Sequence, residues 1–182
     1  MVEVLEAAGD LARGRVAEAE RLGNRVAREE GGVRRLVAEL DSNGDAYLVA
    51  TIQETLRHRP VLPNVEPRFV KAPFEVGGWK YPPGVCLVPN AYLVHHDPEI
   101  YPDPYEFRPE RFAGGDWPKR TYVPFAAGQH LCIGNDFALV EMAVTLAMIA
   151  QRYKLTLADD GPVGESARIT LVPDREIWVR LE

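Results

Sequence analysis

Between Pro60 and Gly134 proline and glycine recur so densely that no long helix can form there. Proline removes a backbone donor and clashes with the preceding helical turn, and glycine gives up more conformational freedom on folding than any other residue. This middle region therefore has to be built from short strands, turns and loops, with regular helices on either side. The chain has enough material for that: of its 182 residues 46% are hydrophobic and 26% charged, which fits one ordinary globular domain with a real core.

On the near side, residues 3 to 40 are rich in Ala, Glu, Arg and Leu and are broken by Gly9, Gly14, Gly23 and Gly31-Gly32. They predict two or three helices with only a rough apolar period through Leu5, Ala8, Leu11, Ala12 and Val16. The turn Asp41-Ser42-Asn43-Gly44 closes this segment and offers Ser42 or Asn43 as a cap for a helix from about Asp45 to His58. Leu48, Ile52 and Leu56 form the buried stripe of that helix, and Pro60 stops it. Beyond it, RFVKAPFEV and GVCLVPN read as short strands separated by Gly77-Gly78 and Pro82-Pro83-Gly84. Residues 97 to 124 mix prolines with aromatics and predict an ordered meander rather than a flexible linker. An apolar helix follows Cys132, and RYKLTLA, ARITLV and REIWVRL close the chain as strands. The expected class is mainly α with small antiparallel β-sheets.

A net charge of −6 and a pI near 5.3 argue against nucleic acid or an anionic membrane as a partner, since both attract basic surfaces. The opening MVEVLEAAGDLARGR interrupts any apolar core a signal peptide would need, and the apolar run Phe137 to Ala150 is shorter than a membrane span. Cys86 and Cys132 lie far apart, so a reduced, cytoplasmic setting without disulfides is expected.

One of those cysteines stands in FAAGQHLCIG, residues 125 to 134, directly before the apolar helix. A thiolate that ligates a metal needs its charge stabilised, and the positive end of a helix with its free N–H groups supplies that. Gly128 and Gly134 would let the backbone come close to a large flat cofactor or pack tightly. A lone cysteine at a helix start is ordinarily a small buried hydrophobe. The order Phe-x-x-Gly-x-His-x-Cys-x-Gly, however, resembles the haem-binding loop of the cytochrome P450 family, whose cysteine is the proximal ligand of haem iron. By that resemblance Cys132 is the metal ligand, Phe125 packs on the proximal side, and His130, where the family more often has Arg, meets a haem propionate.

Two further motifs are similar to that family's, in its order. Glu54 and Arg57 in ETLRHRP sit on one helical face, and FRPERF at residues 107 to 112 looks like their partner, with Arg111 as third member of a buried ionic network. Its implied role is structural: it locks the meander beneath the haem loop. Arg68 opens a segment like the family's first sheet, where an arginine binds a propionate. HHDPEIYPDPYEF matches the stretch before the arginine partner. The resemblance covers about residues 45 to 182 and divides the chain into an atypical helical segment, 1–41, and the C-terminal haem-binding part of the fold, 42–182.

The resemblance implies haem b (iron protoporphyrin IX), an electron-donating redox protein of ferredoxin or flavoprotein type, and insertion of one oxygen atom from dioxygen into a small apolar substrate. Lys119 and Arg120 are candidates for the donor's docking site, or simply solvated charges. The alternative is a truncated haem-binding protein without coupled monooxygenase activity. Family members are more than twice this length, and no distal acid-threonine pair for proton delivery is found: AAGDLARG at 7 to 14 keeps Ala8 and Gly9 of that motif, and no threonine precedes Thr51. Residues 1 to about 30 are read as a remnant, a replaced segment or an out-of-frame stretch of the distal helix, with the family sequence resuming near Gly32, or as a helical cap over the haem. A zinc site from Cys86, Cys132, His95, His96 and His130 would lack any CxxC or HxxxH pairing. Cys86 is expected to serve packing alone, and His58, His95 and His96 to be hydrogen-bonded or surface groups.

Overall fold

The computed structural model describes residues 30–42, 44–114, 117–159, 161–167 and 169–182. The helices expected over residues 3 to 29, and Asn43 as a cap, lie outside them. The described residues hold five helices and four two-stranded antiparallel ladders, the mixture the sequence predicts.

Helix α1 (Glu30–Asp41) turns tightly into α2 (Ala46–His58). The cap of α2 differs from expectation. The Glu39 side chain, from α1, accepts the Tyr47 N–H, while Ser42 Oγ donates back to the Glu39 carbonyl at 2.8 Å. A carboxylate at a helix start satisfies an orphan donor and faces the positive end of the helix dipole, so it outcompetes the nearer hydroxyl. Gly44 makes the approach possible: a Cβ there would lie 2.7 Å from Glu39 Cγ.

Leu48, Ile52 and Leu56 of α2 are the centre of the core, as their spacing predicts. Each contributes roughly 2 kcal/mol by leaving water. Leu36 and Leu40 of α1 pack onto them from one side, and Leu139, Met142 and Ala143 of the long helix α5 (Asn135–Arg152) from another. Tyr122 and Phe125 join the same cluster from the segment that leads into the cysteine loop.

The middle region is short-range structure throughout. Strand β1 (Arg68–Phe69) pairs with β4 (Cys86–Leu87), and β2 (Phe74–Val76) pairs with β3 (Trp79–Tyr81) across Gly77-Gly78. Both glycines have positive φ, 59° and 78°, as a two-residue hairpin turn demands. Cys86, expected to pack, is exposed on the two-stranded β1–β4 ladder. Helices α3 (Ala91–His95) and α4 (Glu110–Ala113) are single turns set in the meander. At the C-terminal end β5 (Leu155–Leu157) pairs with β8 (Val179–Leu181), and β6 (Glu165–Ala167) with β7 (Leu171–Pro173). ARITLV is thus not one strand: Ala167 ends β6 and Leu171 begins β7.

The opposite face of α5 is also apolar, yet Phe137, Val140 and Val144 are exposed, and Leu131 and Ile133 just before the helix are too. A helix that is apolar all round belongs inside a larger fold or against a partner. Among the described residues no helix is long and apolar enough to cross a membrane.

Candidate functional site

Helix α2 supplies the centre of the site. Glu54 and Arg57, one turn apart, are both fully buried. Arg57 Nε and a terminal guanidinium nitrogen donate to the two Glu54 oxygens at 2.7 and 2.9 Å, a bidentate pair. Two further Arg57 N–H groups donate to the carbonyls of His95 (2.8 Å) and Glu106 (3.2 Å). Glu54 also accepts the backbone N–H of Arg108 at 2.8 Å. Arg111, the expected third member, has its Nε 3.4 Å from Glu54 Oε1, an ion pair not aligned as a hydrogen bond. Its other nitrogens donate to the carbonyls of Pro102 and Asp103, so it clamps the meander directly. One carboxylate thus faces two guanidinium groups, and backbone carbonyls accept from both of them, so the buried charges are hydrogen-bonded even though they are not equal in number.

The cysteine loop runs from this network to α5. Its ends are closed by the Cys132 N–H donating to the Phe125 carbonyl at 2.9 Å, and the loop within turns on two left-handed residues, Ala126 (φ 62°) and Gly128 (φ 65°). Gly128 needs its freedom for conformation, since a Cβ there would meet nothing within 4 Å. At Gly134, just before α5, a Cβ would sit 3.8 Å from Cys132 Sγ, an ordinary contact, so no protein neighbour requires glycine. The same distance puts the exposed Cys132 thiol beside the first turn of α5. Phe125 turns inward to the α2 stripe and ties the loop to the core.

Arg68 and His130 meet across a carboxylate. Glu66 Oε2 lies 3.5 Å from a guanidinium nitrogen of Arg68 and 3.3 Å from His130 Nδ1. Arg68 also donates to the Glu66 carbonyl at 2.7 Å. Two side chains from distant parts of the sequence thus lie within 3.5 Å of one exposed carboxylate, neither aligned as a hydrogen bond. Sequence reasoning missed Glu66, although an acid two residues before an arginine in extended chain lies on the same face.

The other histidines are buried and committed. His58 Nε2 donates to the Tyr105 carbonyl at 3.0 Å, and His96 Nδ1 donates to the Tyr92 carbonyl at 2.8 Å. His95 Nε2 accepts the Val123 N–H at 3.0 Å. Burial, reinforced by nearby arginines, pushes the imidazoles of His58 and His96 down to about 3 and that of His95 to about 4. The five residues of the zinc reading are not brought together, and no group of three or more His, Cys, Asp or Glu side chains among the described residues is arranged to hold a metal ion.

Compared with known proteins, residues 30–177 match the family model described as Cytochrome P450. The chain belongs to the cytochrome P450 family. Among curated P450s it is 39% identical over 142 residues to putative cytochrome P450 135B1 of Mycobacterium tuberculosis, covering 78% of this chain and 30% of that one. Cheilanthifoline synthase of Eschscholzia californica is 32% identical over 139 residues, covering 72% of this chain and 28% of the synthase. Of solved structures, the cytochrome P450 CYP102L1 superposes with a TM-score of 0.74 at 26% identity, over 92% of this chain and 42% of that one. Retinoic acid-bound cyanobacterial CYP120A1 gives 0.70 at 28% identity, over 75% and 32%. The chain therefore spans less than a third of the length of these curated relatives, and its fold is part of the P450 fold.

P450s are haem-dependent monooxygenases as a family, and the residues here fit a haem. Arg68 and His130 both lie near one carboxylate, that of Glu66, and an exposed thiol stands at a helix start with apolar Leu131 and Ile133 beside it. The P450 match begins at residue 30, at the first residue of α1. The segment searched for a distal acid-threonine pair, residues 7 to 14, lies outside the described residues. Lys119 and Arg120 are exposed, with Lys119 Nζ 5.9 Å from the Trp117 ring centroid.

Proposed function

We propose that residues 42–182 are the haem-holding part of a P450-type monooxygenase, with Cys132 as thiolate ligand to the iron of haem b and Arg68 and His130 as its propionate contacts. The observation that carries this reading is the shared carboxylate of Glu66, because a propionate is chemically the same group and asks for the same two partners. The exposed Cys132 thiol beside the first turn of α5 supports it, because a ligand sulfur has to be open to the iron. Gly134 leaves the face above that sulfur open, and Gly128 gives the loop its left-handed turn.

When bound, a thiolate-ligated haem supplies dioxygen activation, sending one oxygen atom into an apolar substrate and the other to water. The chain's own residues do the holding. Phe125 anchors the loop to α2, and the Glu54, Arg57 and Arg111 network fixes the meander that underlies it. Electrons come from a ferredoxin- or flavoprotein-type donor, with Lys119 and Arg120 available to meet an acidic partner surface.

A second reading, a haem-binding module without coupled turnover, is favoured by one observation: AAGDLARG at residues 7 to 14 keeps Ala8 and Gly9 but carries no acid-threonine pair. The test is the difference spectrum of the reduced, carbon-monoxide-bound protein after haem reconstitution, on wild type and Cys132→Ala. A red-shifted Soret band present in wild type and absent from the variant is expected. No haem uptake, or one spectrum for both proteins, would refute ligation by Cys132. Product formed per NADPH consumed, with a donor system, then separates the two readings.

A further inference from the structure

His95 is the last residue of α3 and is completely buried. It makes two bonds that point in different directions. Its backbone carbonyl accepts from Arg57 at 2.8 Å, inside the Glu54–Arg57 network. Its imidazole Nε2 accepts the Val123 N–H at 3.0 Å, two residues before Phe125. Tyr122 stacks on the ring, with centroids 5.7 Å apart and planes 23° apart, and its hydroxyl donates to the Gln53 carbonyl of α2 at 3.1 Å.

An N–H can be accepted only by an unprotonated ring nitrogen, so the bond to Val123 requires the neutral tautomer that carries its proton on Nδ1. That Nδ1 is buried and makes no well-aligned hydrogen bond, and the backbone of Arg57 is the polar group within its reach. The ring is thus fixed in one tautomer between α2 and Val123, which an aromatic chosen only for its shape would not need. Phenylalanine would fill the same space and stack on Tyr122 equally well.

We infer that His95 is a positioning residue for the cysteine loop, coupling the buried Glu54–Arg57 network to the chain entering Phe125–Cys132 through the Val123 N–H. This rests on the reading of Cys132 as haem ligand for its functional meaning, but not for its geometry. Removing the acceptor while keeping the ring releases one end of the loop and lets the sulfur wander from the place the helix start prepares for it. No step in this inference uses protonation of His95.

Three measurements on the full chain test it. In wild type, ¹⁵N-histidine labelling should show an unprotonated Nε2 in His95 with through-hydrogen-bond coupling to the Val123 amide; a protonated Nε2 would overturn the proposal even if no variant folds. In His95→Phe, exchange of the Val123 amide should quicken by about tenfold, one hydrogen bond's worth, and the red-shifted band of the reduced carbon-monoxide complex should give way to an unshifted one. His95→Gln, whose side-chain oxygen reaches the Nε2 position, should restore both. Equal behaviour of the Phe and Gln variants would reduce His95 to packing and overturn the proposal. A wild type with no red-shifted band would refute the haem reading alone, because the amide exchange still reads the His95 link.

Discussion

Acid should dismantle this protein in a pH range where most globular domains are comfortable. His58, His95 and His96 are buried as neutral imidazoles, at about 3, 4 and 3 against an ordinary value of 6.5. Desolvation is the main cause for all three. Arg59 and Arg57 add to it at His58, and Arg57 at His95 and His96. Each base has a folded value below its unfolded one, so the unfolded chain takes up the proton first. Stability is therefore fully present above about pH 6.5 and is lost as pH falls through 6.5 toward 3 to 4. By pH 5 each histidine accounts for about 2 kcal/mol and the three for about 6, a ceiling comparable with the whole stability of an ordinary domain. Urea denaturation followed by tryptophan fluorescence at pH 8, 7, 6 and 5 measures this directly. The free energy of unfolding should drop with a slope approaching 4 kcal/mol per pH unit near pH 5, three protons' worth. This window lies above the ordinary carboxylate range, so histidines dominate it. A flat profile from pH 7 to 5, or an unchanged slope in a His58→Gln/His96→Gln double variant, would refute the argument.

Glu54→Ala leaves the Arg57 guanidinium buried without its carboxylate and also frees the Arg108 N–H. It should cost about 3–5 kcal/mol, read as a lowered urea midpoint or loss of the folded chain. In the cysteine loop Gly128→Ala meets no atoms but must hold φ near 65°, and should cost about 1–2 kcal/mol by the same assay. Gly134→Ala should change the stability of the haem-free chain by less than about 0.5 kcal/mol, since its nearest neighbour is at 3.8 Å. A large loss there would mean that the loop packs more tightly than the structure shows.

Elements whose cause is local were legible in the sequence. The stripe Leu48, Ile52, Leu56 and the stop at Pro60 give α2 within a residue, and Gly77-Gly78 gives the β2–β3 turn. The pairing of Glu54 with Arg57 is equally local, one helical turn. What escaped depends on chain brought from elsewhere. Glu39 caps α2 because α1 folds back beside it, which no short window of residues contains. The three histidines were expected to be hydrogen-bonded or at the surface. They are hydrogen-bonded, but their burial follows from the packing of α3 and the meander onto α2. Arg108 contributes through its backbone N–H, which carries no residue-type signal at all. Cys86 in GVCLV looks like core material, yet among the described residues it is exposed on a two-stranded ladder.

The meander around Pro102 to Glu106 has no strand ladder of its own among the described residues; its carbonyls are held by the guanidinium groups of Arg57 and Arg111. The Arg57 tether spans 49 residues and the Arg108 tether to Glu54 spans 54. In kinetic terms this is a late event. Helix α2 can form from its own residues in microseconds, whereas the meander must wait until a long loop has closed and delivered it to a charge already in place. The ion pair is then a folding checkpoint. Until the meander arrives, Arg57 and Glu54 can stay in water; once it does, they are sealed in together, and the seal cannot be half made.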